Sequence, residues 1–288
     1  MSAVAAQHAS PRSAWRSRLN LGLLLLPASL VGLAMVCATV TMAWISTQSE
    51  GSQPTLEHYV RFFEDGYLIQ AGIRTFHLSL MVSVICVLCG YPVAWYLVYS
   101  RSSYRYVAFI IVLSPLLVSI VVRALGWTIL LGNEGVINQA LQALGLTKGP
   151  VALMRSYWSV VAGMVHIFLP FMVLSIASTL GAIDPSLREA AALLGATPAT
   201  SFRLVTLPLS LQGIAAGSVI VFCLSTGVFL TPLWLSRGHV SVLATVLKEQ
   251  VVDASDWPAG ATTAVLLTVS TLGLVALYNG LIRRFGEH

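Results

Sequence analysis

The chain has 288 residues, of which 57% are hydrophobic and only 9% charged, with 16 Lys and Arg against 11 Asp and Glu. An ordinary soluble domain carries about 45–50% apolar and about 25% charged residues, so this composition excludes a water-soluble globule. Its apolar residues gather into runs that match a bilayer core of about 30 Å, or about 20 helical residues.

A polar N-terminal tail over 1–18 carries Arg12, Arg16 and Arg18 and leads into the first apolar run, 19–45. That run exceeds the roughly 7–15 residues of a signal-peptide core, so the sequence predicts a retained first helix. The second run, 71–99, contains Pro92 and the pair Cys86 and Cys89; with Cys37 and Cys223, all four cysteines fall in apolar runs. Packing is the expected role, since a C-x-x-C redox site belongs to a βαβ context. The third run, 106–131, holds Pro115 and Arg123, with Trp127 one helical turn further on. Arginine facing lipid at mid-depth costs about 2.5–3.5 kcal/mol. Two readings of Arg123 stay open: it snorkels to the nearer membrane surface, or it makes a gate or helix contact with a second subunit, through Glu134. A short interfacial helix is expected over 136–144.

The fourth run, 160–183, brings in His166, Phe168 and Pro170, the fifth, 214–235, brings in Phe229 and Pro232, and the sixth is 259–282. His166 reads either as a hydrogen-bonding packing residue or as a proton or substrate group. Pro92, Pro115, Pro170 and Pro232 each interrupt a helical hydrogen-bond ladder. Pro170 and Pro232 are the hinge candidates, because their runs flank the loop over 184–211; absorption of the freed carbonyls by neighbouring helices is the plain structural alternative. The pattern is therefore all-α: a polytopic membrane domain over 19–283 with six transmembrane helices.

Six spans place both termini on one side. That side holds nine basic and three acidic residues, a net of +6, and the other holds seven and eight, a net of −1. The positive-inside rule then puts the termini and the loops over 100–105 and 184–211 in the cytoplasm. Topology and anionic headgroups account for the basic balance, leaving no call for a nucleic-acid partner.

The 184–211 loop has the marks of a short capped helix: Asp184 at the N-cap, Pro185 at the first helical position and Gly195 at the left-handed stop. Leu187, Ala190, Ala191 and Leu194 recur at helical spacing, so one face is apolar and Glu189 points away from it. Thr197 and Pro198 begin a second helical segment with Phe202 and Arg203, expected to end near Pro208. Physics alone leaves open whether this helix merely lies on headgroups.

Residue identities add a resemblance. Glu189, Ala190 and Ala191, then Gly195, then Val205, Leu207 and Pro208 follow the spacing E-A-A, three, G, nine, I-x-L-P. This resembles the loop that marks membrane subunits of ATP-binding-cassette importers, with Val205 the one departure from the pattern. The phrases 114–119, 123–127, 135–138, 166–171, 229–232 and 256–258 are similar to those of the B-type permease of spermidine/putrescine importers. The resemblance implies a type I ABC importer (MetI-like) permease fold in a bacterial inner membrane. It implies a coupling helix docked on an ATPase: Glu189 in polar contact, Ala190 and Ala191 allowing close approach, Gly195 the turn, Leu207 and Pro208 closing the motif. It also implies a second, homologous but different permease chain, two cytoplasmic ATPase subunits and a periplasmic binding protein docking near Glu134 and residues 253–257.

No acid lies centrally in a span, so a polyamine would have to meet aromatic faces such as Trp95, Trp127, Phe168, Phe171, Phe222 and Phe229. Arg123, Trp127, His166, Phe168 and Phe229 are the candidates for pathway or gate. The chain carries no phosphate-binding G-x-x-x-x-G-K-[ST] loop, so ATP is expected on partner subunits and no cofactor on this one. The absence of H-E-x-x-H and G-x-S-x-G argues against a membrane-embedded hydrolase. The lack of intramembrane acids or a filter motif argues against an ATP-independent channel or carrier.

Overall fold

A computed structural model describes residues 11–48 and 55–286, with side-chain environments for 26–48 and 55–280. Helix α1 (Pro11–Ile45) leads through the short α2 (Glu57–Glu64) to α3 (Gly66–Tyr99). There follow α4 (Tyr104–Leu117), α5 (Ile120–Leu131), α6 (Val136–Ala143) and α7 (Tyr157–Ala182). After the short α8 (Pro185–Leu193) and α9 (Pro198–Ser201), a π-turn (Phe202–Thr206) runs into α10 (Leu207–Thr226). Then come α11 (Leu230–Ser236), α12 (Leu243–Lys248), a second π-turn (Glu249–Asp253) and α13 (Trp257–Gly286). Six stretches among the described residues are long and apolar enough to cross a membrane. Residues 11–18 of the expected tail are already helical, and 1–10 lie outside the described residues.

The core is a three-helix unit of α3, α7 and α10. Helix α7 is its pivot, since Met164, Phe168, Met172, Ile176 and Leu180 recur every four residues and are buried. Four residues make slightly more than one turn, so this series forms a single stripe along the helix. Helix α10 approaches that stripe closely because Gly213 and Gly217 face it. A Cβ at Gly217 would lie 2.7 Å from Met172 Sδ, and one at Gly213 would strike Thr179 Oγ1. Ser175 Oγ donates to the Gly213 carbonyl at 2.8 Å, fixing the register of the pair. This is the small-xxx-small contact by which membrane helices associate without a hydrophobic driving force. Helix α1 packs on α13 and leaves Leu30, Val36 and Trp44 57–66% exposed, as befits a helix whose surroundings are themselves apolar.

The structure corrects two spans. The third run, 106–131, is divided at Val118, whose backbone is extended, and Ser119, which is also non-helical. Pro115 removes a donor for the Ile111 carbonyl, which accepts instead from Ser114 Oγ at 2.8 Å, and the helix stops two residues later. At 14 residues α4 would reach only about 21 Å, and the stretch in this region long enough to cross is Ile120–Ala143, α5 continued through α6. The fifth run, expected over 214–235, begins much earlier: the helical stretch extends over Pro198–Thr226 and breaks at Gly227. Pro232 consequently sits in the first turn of α11, where its missing N–H has no intrahelical partner to lose. It interrupts no ladder, whereas Pro170 lies buried inside α7.

Candidate functional site

The loop after α7 is built from strong local signals. Asp184 Oδ1 accepts the Ser186 N–H at 2.9 Å, capping α8, and Pro185 supplies the pre-set first turn. That hydrogen bond holds the Asp184 carboxyl below its ordinary pKa. At the other end the Ala196 N–H donates to the Ala191 carbonyl and the Gly195 N–H to the Ala192 carbonyl, each at 3.0 Å. Gly195 has φ +82°, completing a Schellman motif. A Cβ there meets nothing within 4 Å, so the demand for glycine comes from the backbone conformation and not from crowding.

No residue of α8 is buried. Leu187 and Leu194 of the expected apolar face are 45% and 89% exposed, and Leu193, one turn beyond Glu189, is 90% exposed, so the end of the helix is apolar and uncovered by the rest of the chain. Glu189, Ala190 and Ala191 are also open or half-open. Among the described residues the one ion pair is Lys248 with Asp253 at 2.7 Å, so Glu189 has no cationic partner there.

The segment following α9 does not end near Pro208. It passes through the π-turn, in which the Leu207 N–H reaches back five residues to the Phe202 carbonyl. A proline ring clashes with the carbonyl four residues earlier in a regular α-helix; the wider turn gives Pro208 room and keeps the helix continuous.

Spacing alone did not single out the way this loop is held. Arg188 lies with its guanidinium carbon 3.9 Å from the Tyr99 ring centroid. Phe202 meets Tyr91 and Trp95 edge-on, at centroid distances of 5.8 and 5.3 Å. The signal was present as aromatic residues at 91, 95 and 99 on one face of α3.

The pathway candidates divide. Trp127 Nε1 donates to His166 Nδ1 at 3.3 Å, joining α5 to the open face of α7. Arg123, one turn before Trp127, donates from Nη2 to the Val118 carbonyl at 2.8 Å, which is a carbonyl freed by the break between α4 and α5. Its Nε is buried without a partner, and it makes no pair with Glu134 within the chain. Phe168, by contrast, is 3% exposed and packs in the core, as a member of the buried four-residue stripe of α7. Phe229 stands 40% exposed just before α11, on a separate element. A cavity of about 650 Å³ opens between α3, α10 and α13, lined by Phe76, His77, Tyr278 and, of the aromatic faces expected for a polyamine, Phe222, but by none of Arg123, Trp127, His166, Phe168 and Phe229. No cluster of three or more His, Cys, Asp or Glu side chains occurs among the described residues. Cys86 is buried and Cys89 exposed, both as free thiols.

The bundle thus carries a divided third helical run and, at one end, a capped helix left uncovered. Residues 83–286 match the model of the binding-protein-dependent transport system inner membrane component, and the chain belongs to that family as a multi-pass inner-membrane protein. It is 30% identical over 223 residues to the spermidine/putrescine transport system permease protein of Escherichia coli K12, covering 77% of this chain and 80% of that one. The molybdenum transport system permease protein of Mycobacterium bovis is 32% identical over 197 residues, covering 68% and 72%. In the crystal structure of a bacterial alginate ABC transporter in complex with alginate pentasaccharide-bound periplasmic protein, one chain shares the fold. Its TM-score is 0.83 over 97% of this chain and 99% of that one, at 20% identity.

Proposed function

We propose that this chain is the non-catalytic half-pathway of a polyamine importer, coupled through α8 to cytoplasmic ATPase subunits. The observation that carries the coupling is the exposed pair Leu193 and Leu194 at the end of a helix fixed by caps at both ends. A rigid helix with an uncovered apolar tip is a lever for a partner with an apolar groove. Glu189 meets polar groups of that partner, Ala190 and Ala191 let the surfaces close, Gly195 makes the turn, and Leu207 with Pro208 joins the lever to α10.

Closure of the two ATPase subunits displaces α8, and α7 and α10 tilt with it, opening the pathway formed with a second permease chain toward the periplasm. A periplasmic binding protein delivers the cargo near Glu134 and residues 253–257. Trp127 and His166 line the passage, with Arg123 holding the broken third span. The polyamine assignment rests on the relatives named for spermidine and putrescine, which align over most of the chain.

Two measurements test the reading. Leu193→Asp is expected to leave membrane insertion intact, strip the ATPase subunits during purification and reduce radiolabelled putrescine uptake at least tenfold. Assembly and uptake at wild-type level would overturn the coupling role. Uptake of molybdate with none of putrescine or spermidine would overturn the cargo.

A further inference from the structure

The last three turns of α3 carry Tyr91, Trp95 and Tyr99 at i, i+4 and i+8, a single stripe. Its contacts reach α7, α8, the π-turn and α10 around the 184–211 loop. Tyr99 Oη donates to the Leu180 carbonyl in the last turn of α7 at 3.1 Å. The Tyr99 ring takes the Arg188 guanidinium of α8 at 3.9 Å. Trp95 lies 4.5 Å from Tyr99 by ring centroid and 5.3 Å from Phe202 of the π-turn. Tyr91 meets Phe202 at 5.8 Å, and its Oη lies 3.0 Å from Ser210 Oγ of α10.

The covalent routes out of α8 are soft by comparison. On one side Ile183, with extended backbone, separates it from α7. On the other, the left-handed Gly195 and the π-turn over Phe202–Thr206 intervene before α10. Both are places where a few dihedral changes absorb a displacement. The aromatic stripe crosses these joints through space.

We propose that the stripe is a clamp that makes α8 and α3 one mechanical body, with Tyr99, Arg188 and Phe202 as positioning residues carrying displacement of α8 into α3. Helix α3 packs along both α7 and α10, so it delivers that displacement to the whole core. This rests on the coupling role given to α8 above.

The test uses the transporter assembled with its ATPase subunits, in a background with Cys37, Cys86, Cys89 and Cys223 replaced. Spin labels go at Ala192 on α8 and Leu88 on α3, both exposed. Their separation is read by double electron–electron resonance without nucleotide and after trapping with Mg-ATP and vanadate. The wild-type separation is expected to stay within about 2 Å on trapping, the scale of a packed-helix adjustment. In the Tyr99→Ala, Phe202→Ala double variant it is expected to shift by about 5 Å, one helical turn, or to broaden to that extent. Tyr99→Phe, which keeps the ring under Arg188, stays with the wild type. Arg188→Gln, at a half-buried site outside the core, gives an intermediate shift without disturbing the fold. A Leu88 to Leu211 pair that matches wild type before nucleotide confirms that the double variant is folded.

A wild-type pair that moves on trapping as far as the double variant's overturns the clamp, and so does a double variant that holds its distance. Loss of ATPase subunits from Leu193→Asp together with either result condemns the clamp alone. Retention of the subunits by Leu193→Asp removes the coupling role and the clamp with it.

Discussion

Asn138 shows how much one polar side chain does in a largely apolar chain. It is fully buried, its Nδ2 donates to the Gly132 and Val151 carbonyls at 2.9 and 3.0 Å, and its Oδ1 accepts the Val151 N–H at 2.9 Å. The three bonds close the loop between α5 and α7. Asn138→Leu keeps the volume but orphans those backbone groups, a loss of about 1–3 kcal/mol. Thermal unfolding in detergent is expected to show a lowered midpoint, and an unchanged midpoint would mean the loop re-forms its bonds elsewhere. Arg123 follows the same logic: the freed Val118 carbonyl gives the guanidinium a partner inside the chain. Neither residue's partners are readable from spacing, because both bonds arise where the chain leaves regular helix.

Among the elements, α8 is the most fully written in the sequence. Its N-cap, first-turn proline and C-terminal glycine are local signals, and each appears where it was expected. The Asp184 carboxyl has its pKa lowered by the Ser186 N–H. A depressed folded value means the cap's contribution is complete above the ordinary carboxylate pKa and is lost as pH falls through the folded one. Amide exchange at Ser186 and Leu187, corrected for intrinsic rate, is therefore expected to accelerate on acidification below the ordinary range. Asp184→Ala is expected to show the faster exchange already at neutral pH and to lose the pH dependence. Helices α4, α5 and α10 were less legible. An apolar run looks alike whether it is one helix or two, and a proline looks like an end whether or not a π-turn accommodates it.

At the scale of the molecule, lysine and arginine placement sets the two ends apart, and the orientation proposed from it is directly measurable. A Leu193→Cys variant, with native cysteines replaced, is expected to react with a membrane-impermeant maleimide only from the cytoplasmic side, and Val252→Cys only from the periplasmic side. The opposite pattern would reverse the topology. Both positions are well exposed within this chain, at 90% and 66%, so in the chain expressed without its proposed ATPase partners access depends on the side of the membrane. The exposed apolar surface of α1 suits lipid, whereas the uncovered tip of α8 lies in a polar loop and is the surface on which the proposed coupling rests.

The sequence by itself determined that this protein lives in a membrane, how many times it crosses, and where the capped loop helix lies, since each follows from composition, run length or contacts within a few residues. Only the tertiary structure decided that the third span is divided, that Phe168 is core while Trp127 meets His166, and that α3 grips the loop through Arg188 and Phe202. Those facts depend on residues tens of positions apart meeting in space, and in a chain this apolar many pairings satisfy the same hydrophobic pattern. Close approach at Gly213 and Gly217, together with a few buried hydrogen bonds, selects one of them.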